Sequence, residues 1–384
     1  MTERVDINNI LMQGSTLAPL LCSNSCDSLG KKSQRDDEYL HKYKNHVKIP
    51  VLGAVDDLLG VAVCGKQAMD MNIFINSQIE FKKLQFHLPD SKGKSKCKYM
   101  HIGPKNSPCY PLKVHDSYMQ QVSSIVYLGD SISCLGTNKE NIEQRVSKCI
   151  GIVSQIMNIL NTASFGRHYF KMALLLRESM LINGMLSSAE IWYILTRKDV
   201  NSLEAVDKIL LSKVTKSNKV SNSYTSYCLE FGIQPLDHII KTRRIKYLFY
   251  ILTRNPESML YKFFICQWNN QTRGDWSQQV EKDLKDLEIP INFSWIKSHT
   301  KSGFKTFVNK QSKIYTFKYL REKQQTYSKL RNLKYSDFKM QSYLCSNLSN
   351  DIMRNIFLFG TRMSPFCENF HGSRKETVCP FKCE

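Results

Sequence analysis

Ala54-Val55-Asp56-Asp57-Leu58-Leu59-Gly60 is the stretch on which the reading of this chain turns. Apolar residues flank its two carboxylates, Val51-Leu52 before them and Leu58 to Val63 after. Apolar runs broken by a short polar pair predict a tight β-hairpin with both aspartates at its tip. Neighbouring carboxylates repel unless a cation lies between them. Mg²⁺, which prefers hard oxygen ligands, is the natural neutraliser. A carboxylate pair holding two metal ions is also how phosphoryl transfer is catalysed, by stabilising the attacking and leaving oxygens. The same pair equally fits a plain surface turn, because Asp is a common turn residue. The neighbouring sequence has to decide.

Length and charge narrow the setting. A chain of 384 residues has room for two or three domains, and 42% hydrophobic with 11% aromatic residues suits a globular protein. The net charge of +20 points to a polyanionic partner, nucleic acid first and an acidic membrane surface second. From Lys301 onward there are 16 Lys and Arg against 6 Asp and Glu, half of the excess in under a quarter of the chain. The 13 cysteines are odd in number and irregularly spaced, and Met1 to Asp6 is polar rather than a signal peptide. Reduced thiols in an intracellular protein are therefore expected. Met172 to Leu176 typifies the longest apolar runs, well short of the roughly 18 residues a membrane span needs. No membrane association is expected.

Along the chain, the first 135 residues have a β-rich texture with helical insertions. Leu17 to Gly30 and Gln67 to Phe86 have helical rhythm, the latter through Met69, Ile73, Phe74 and Ile79. Tyr99 to Gly103 and Ile125 to Gly129 are predicted as short strands closed by glycine. From Asn138 the pattern is helical, with Ile142, Val146, Ile150, Val153, Met157 and Leu160 on one face. Further helices are expected over Arg167 to Leu195, Asp199 to Val214 and Asp237 to Arg254. The last has Ile239, Ile240, Tyr247, Leu248 and Ile251 flanked by Lys241, Arg243, Arg244 and Lys246. The polar segment Lys216 to Ser226 is the best boundary between helical regions, and helices beyond Asn255 are expected to be shorter. Lys313, Tyr315, Phe317, Lys318, Tyr319, Arg321, Lys323 and Tyr327 interleave cations with aromatics. That mixture suits phosphate tracking and base stacking, and equally a solvated basic helix with its aromatics in the core.

Three segments form an ordered series: Gln13-Gly14-Ser15-Thr16-Leu17-Ala18-Pro19-Leu20-Leu21, Val55-Asp56-Asp57 and Tyr127-Leu128-Gly129-Asp130. Together they resemble the second half of a reverse-transcriptase domain from non-long-terminal-repeat retrotransposons, the jockey-like mobile-element polymerases. The Gln-Gly segment is similar to that family's motif B and the Asp-Asp hairpin to its motif C. Lys96 to Gly103 resembles the motif D region, and Tyr127 to Asp130 the primer-grip turn. Leu175 to Gly184 and Ala189 to Tyr193 resemble its thumb, so the likeness spans most of the chain.

The resemblance implies RNA-directed DNA synthesis with two Mg²⁺ ions, dNTPs, an RNA template and a DNA primer or target, in cytoplasm and nucleus. It implies metal binding by Asp56, with Asp57 supporting the turn or a second coordination. Gln13 and Gly14 would face template or nucleotide, Gly14 allowing close backbone approach. Lys96 or Lys98 would neutralise or protonate the leaving pyrophosphate, the choice being open. Gly129 would make the tight turn that sets Tyr127, Leu128 and Asp130 against the primer.

There are departures. Ala54 stands where the family usually has a bulky residue. The family's other catalytic carboxylate lies well upstream of motif B, whereas 12 residues precede Gln13 and Asp6 is too close. The expectation is therefore a fragment lacking the fingers and first catalytic strand, with little or no activity alone. Cys379-Pro380-Phe381-Lys382-Cys383 resembles half of a zinc-ribbon-like element, and Cys367, His371, Cys379 and Cys383 are an alternative zinc set; the same residues equally fit free thiols on a tail that binds no zinc.

The expected fold class is α+β. It comprises a truncated polymerase palm over 1–135, a helical thumb over 136–220 and a basic helical region over 221–384. The alternatives are a non-catalytic nucleic-acid-binding remnant and a host-recruited interaction protein.

Overall fold

The computed structural model describes residues 41–43, 47–49, 52–54, 57–62, 65–81, 97–102, 111–114, 117–163, 165–192, 195–217, 223–270, 274–326 and 335–361. It is an α+β structure, mostly helical with small two-stranded sheets. Two compact units are formed. One holds residues 1–137 with 254–270, the other 138–253 with 271–384. The second unit includes both sides of residue 220, where the polar Lys216–Ser226 segment suggested a boundary.

In the first unit, β1 (His41–Tyr43) pairs antiparallel with β2 (Val47–Ile49), and β3 (Leu52–Ala54) with β4 (Asp57–Leu59). Helix α1 (Gly65–Phe81) follows. Its buried residues are Met71, Phe74 and Ile79, whereas Met69 and Ile73, expected on the buried face, are exposed. Asn76 explains part of this orientation: its Nδ2 donates to the Lys113 carbonyl at 3.1 Å, holding that side of the helix against a strand. Gly60, just after β4, comes close to this helix: an added Cβ there would stand 2.8 Å from Met71 Sδ.

Short strands β5 (Lys98–Tyr99), β6 (Lys113–Val114), β7 (Ser117–Tyr118) and β8 (Gln120–Gln121) come next, β5 running parallel to β8. Of the strand expected over Tyr99 to Gly103, Tyr99 lies in β5, residues 100–102 are not in a strand and Gly103 lies outside the described residues. Strands β9 (Ser124–Tyr127) and β10 (Asp130–Ser133) form an antiparallel hairpin.

The second unit opens with α2 (Lys139–Thr162). Apolar period gives this helix, but the buried face is offset from the expected one. Arg145, Cys149 and Ile156 point inward, while Ile150 is 52% exposed. Arg145 is accommodated because its Nε donates to Asn141 Oδ1 and its Nη1 to the Gly184 carbonyl. Its guanidinium also lies over the Trp192 ring, 5.6 Å from the centroid.

Helix α3 (Tyr169–Leu176) passes into a π-helical turn over Arg177–Ile182 and resumes over Asn183–Met185. The expected helix to Leu195 therefore stops early. Ser188 adopts a left-handed φ of 57°, after which a 3₁₀ turn buries Ala189, and Trp192 beyond it is buried too. The apolar texture persists to Trp192 although the α-helix does not.

Helix α4 (Arg197–Thr215) starts at a capping box in which Thr196 and Asp199 satisfy each other's backbone N–H. Helices α5 (Tyr224–Phe231) and α6 (Leu236–Leu252) follow, and α7 (Met259–Asn269) belongs to the first unit. The second unit continues with α8 (Trp276–Asp286), α9 (Phe293–Lys297), α10 (Lys301–Thr326) and α11 (Asn350–Gly360). At 26 residues α10 is longer than α2, contrary to the expectation of short helices after Asn255.

The core of this unit gathers Phe170, Leu181, Met185, Trp192, Leu203, Tyr227, Phe231, Leu320 and Phe357. Taking each large apolar side chain fully out of water contributes roughly 1.5–3 kcal/mol, so this cluster anchors the helices.

Candidate functional site

The aspartate pair falls where the two apolar runs meet. Ala54 is directly opposite Asp57, Gly53 opposite Leu58 and Leu52 opposite Leu59. This register leaves a two-residue connection, Val55-Asp56, outside the described residues. Asp57 is the first residue of β4. Gln13, Gly14 and Lys96 lie outside the described residues, as do Cys367, His371, Cys379 and Cys383. Lys98 is exposed on β5, opposite Gln120.

The Tyr127-Leu128-Gly129-Asp130 segment forms a two-residue hairpin turn, with Tyr127 opposite Asp130. Leu128 has φ 50° and Gly129 φ 86°, the pair of positive values that defines a type I′ connection. A Cβ on Gly129 would meet open space, so glycine is required here by φ rather than by crowding. Leu128 is 62% exposed and Val126 61%, presenting an apolar hairpin tip. Asp57, Lys98 and this turn all belong to the first compact unit.

The interleaved segment divides cleanly on α10. Lys301, Lys305, Lys310, Lys313, Lys318, Arg321 and Lys323 are exposed. The aromatics turn toward protein: Tyr315 and Tyr319 each sit 4.8 Å from the His238 ring, and Phe317 packs on Phe338. Cations on this helix are therefore available to a polyanion, and these aromatics mainly serve packing.

Buried polar clusters are the feature that pattern reasoning missed. Arg177 and Asp207 form a buried bidentate pair, joined by the Tyr224 hydroxyl at 2.5 Å from Asp207 Oδ2. Burial opposes the Arg177 charge, but Asp207 outweighs it and raises the guanidinium pKa. Burial, then Asp207, also holds the Tyr224 hydroxyl and the Cys228 thiol well above their usual values. Arg244, expected on a flanking surface, is buried, donating to Asp283 Oδ2 at 2.6 Å and to the Trp192 carbonyl at 2.8 Å. Lone charges in apolar surroundings, Arg177 after Leu174-Leu175-Leu176 and Asp207 after Val206, were the available signal, since such charges require partners.

Cys97, Cys134, Cys149, Cys228, Cys266 and Cys345 are free thiols. Among the described residues, no three or more His, Cys, Asp or Glu side chains cluster as metal ligands would, and no helix is long and apolar enough to cross a membrane. No protein-family model matches the chain, and no curated protein or solved structure matches it.

Proposed function

We propose that this chain carries the catalytic hairpin, primer grip and thumb of an RNA-directed DNA polymerase of the non-long-terminal-repeat retrotransposon type. The observation that carries the reading is the β3–β4 register, with Ala54 opposite Asp57 and two residues left to close the hairpin. The type I′ turn at Leu128-Gly129 and the helical unit from Asn138 follow in the order such a polymerase requires.

The donor chemistry suits Mg²⁺. Asp56 and Asp57 are adjacent in sequence and both supply hard carboxylate oxygens. Mg²⁺, when bound, supplies electrostatic stabilisation of the attacking and leaving oxygens. Asp56 holds the metal and Asp57 supports the turn or a second coordination. Gln13 and Gly14 contact template or nucleotide, and Lys96 or Lys98 meets the departing pyrophosphate. Tyr127 to Asp130 orient the primer strand, whose 3′ hydroxyl attacks the dNTP. In this family a further carboxylate from another strand completes the site, so metal and nucleic-acid binding are measured beside synthesis.

The test compares the full chain with Asp56→Ala. Mn²⁺ titration followed by electron paramagnetic resonance is expected to show a saturable site that the substitution removes. Both proteins are expected to bind an RNA–DNA primer–template, with extension near background. Identical Mn²⁺ binding in the two proteins, or no hybrid binding by either, overturns the reading.

The exposed cations of α10 favour a second reading, a non-catalytic nucleic-acid-binding protein. It predicts hybrid binding with no Asp56-dependent metal site.

A further inference from the structure

Helices α6 and α10 run antiparallel along a regular ladder. His238 Nδ1 meets Thr316 Oγ1 at 3.0 Å, and Thr242 Oγ1 meets Ser312 Oγ at 2.7 Å. Further along, Phe249 stacks on Phe304 with centroids 4.8 Å apart. The stack brings together two lysines, Lys246 one turn before Phe249 and Lys305 immediately after Phe304. Arg243, one turn before Lys246, donates through Nη2 to Asn183 Oδ1 at 3.1 Å and through Nη1 to the Leu186 carbonyl. These two bonds hold the guanidinium on the same flank and leave further N–H groups for a ligand.

Neighbouring inward cations are matched to carboxylates: Arg177 to Asp207, Lys241 to Asp286 and Arg244 to Asp283. Among the described residues, half-buried Lys246 has no hydrogen bond or ion pair, and exposed Lys305 has none either. Burial first, then Lys305 and Arg243, holds the Lys246 ammonium below its usual pKa. Glu178 acts on Lys246 and Arg243, and Glu190 on Arg243, but neither carboxylate forms an ion pair with them. Like charges gathered around a half-buried ammonium, with no carboxylate among the described residues in ion-pair contact with them, favour an anion from outside.

We infer that Arg243, Lys246 and Lys305 form a seat for one backbone phosphate of a nucleic-acid strand. The inference rests on the nucleic-acid-binding part of the function proposed above. Lysine ammoniums act as point charges on the non-bridging oxygens, and the fixed guanidinium adds directed donors. Such a seat has no base selectivity, because phosphate contacts position a strand without reading its sequence.

The experiment measures binding of a fluorescent single-stranded RNA by the full chain across a salt series. A Lys246→Gln/Lys305→Gln variant is compared with a Lys139→Gln/Lys285→Gln control, which removes the same charge from exposed lysines that face Glu143 and Glu281. Thermal melting verifies that both variants fold. The site variant is expected to bind about tenfold more weakly, with a salt slope shallower by about 0.7, while the control stays near wild type. If wild type binds and the site variant matches it, or if both variants weaken equally, the seat is overturned and nucleic-acid binding stands. If wild type does not bind, both are overturned.

Discussion

Arg177 Nε donates to Asp207 Oδ1 at 2.7 Å and Arg177 Nη2 to Asp207 Oδ2 at 2.6 Å, with Arg177 3% exposed and Asp207 fully enclosed. The arginine lies in the π-helical turn and the aspartate on α4, so the pair fixes two helices against each other. Tyr224 from α5 adds its hydroxyl to the same carboxylate.

Removing the carboxylate leaves a buried guanidinium without compensation. Asp207→Ala is expected to cost about 3–5 kcal/mol in urea unfolding. Tyr224→Phe, which removes one bond to a charged acceptor, is expected to cost about 1.5–3 kcal/mol. A double Arg177→Met/Asp207→Leu variant is expected to lose less than Asp207→Ala alone, since no unpaired charge remains. Loss below 1 kcal/mol for Asp207→Ala would show that the pair does not constrain the helices.

Two groups of this unit make opposing contributions to pH dependence. Burial, then the Asp237 carboxylate, raises Glu204 from 4.5 to about 7, while burial lowers His238 from 6.5 to about 4. Between pH 4.5 and 7 the folded state keeps a Glu204 proton that the unfolded state has lost, so this contribution to stability falls as pH rises. Between pH 6.5 and 4 the unfolded state binds a His238 proton that the folded state lacks, so that contribution falls as pH falls. Over the shared window the slopes oppose, each at most about 1.4 kcal/mol per pH unit. Glu204→Gln is expected to gain stability over wild type as pH rises from 5 to 7. His238→Gln should narrow its deficit between pH 6.5 and 4. Urea unfolding at four pH values measures both, and pH-independent differences would contradict them.

Gly232 ends α5 with φ +62°, and a Cβ there would stand 2.3 Å from the Lys339 carbonyl carbon. The residue thus meets both a left-handed backbone requirement and a close approach. Beside it, the Tyr335 and Tyr343 hydroxyls donate to Glu230 at 2.6 and 2.5 Å, tying the segment around Lys339 to α5. Gly232→Ala is expected to cost more than the roughly 1–2 kcal/mol of left-handed strain, because the Lys339 backbone must also move. Faster proteolysis between Tyr335 and Cys345 should accompany the lower melting temperature. Unchanged melting would mean that the segment shifts freely.

Helices were legible where apolar residues recur at helical spacing, as over Lys139–Thr162 and Arg197–Thr215. Their buried faces were less so, because Arg145 finds Asn141, a Gly184 carbonyl and the Trp192 ring from parts of the chain that periodicity cannot bring together. Helix α3 ends before Ser188, while burial of Ala189 and Trp192 keeps the sequence apolar beyond that end. In the candidate site, apolar runs around a polar pair announced the β3–β4 pairing, and Ile125 to Gly129 announced a strand closed by glycine; the backbone pairs β3 with β4, and β9 ends at the Leu128-Gly129 turn. The positive φ of Leu128 had no sequence signal, since leucine is not a turn former.

That leucine supports the last prediction. Type I′ turns favour Asn-Gly because both central residues need positive φ, yet this turn carries Leu128-Gly129. A left-handed leucine costs roughly 1–2 kcal/mol, and at 62% exposure its side chain recovers little by burial within the chain. Leu128→Asn is therefore expected to stabilise the folded state by about 1 kcal/mol, since Asn tolerates this region. On the proposed primer-grip role, the exposed leucine instead packs on the primer strand. The same substitution should then weaken RNA–DNA hybrid binding roughly three- to tenfold, equivalent to losing about 1 kcal/mol of apolar contact. Urea unfolding and hybrid titration at one salt concentration give both numbers. Greater stability with unchanged hybrid affinity would remove Leu128 from the nucleic-acid interface, and lower stability would show that the chain itself depends on this side chain.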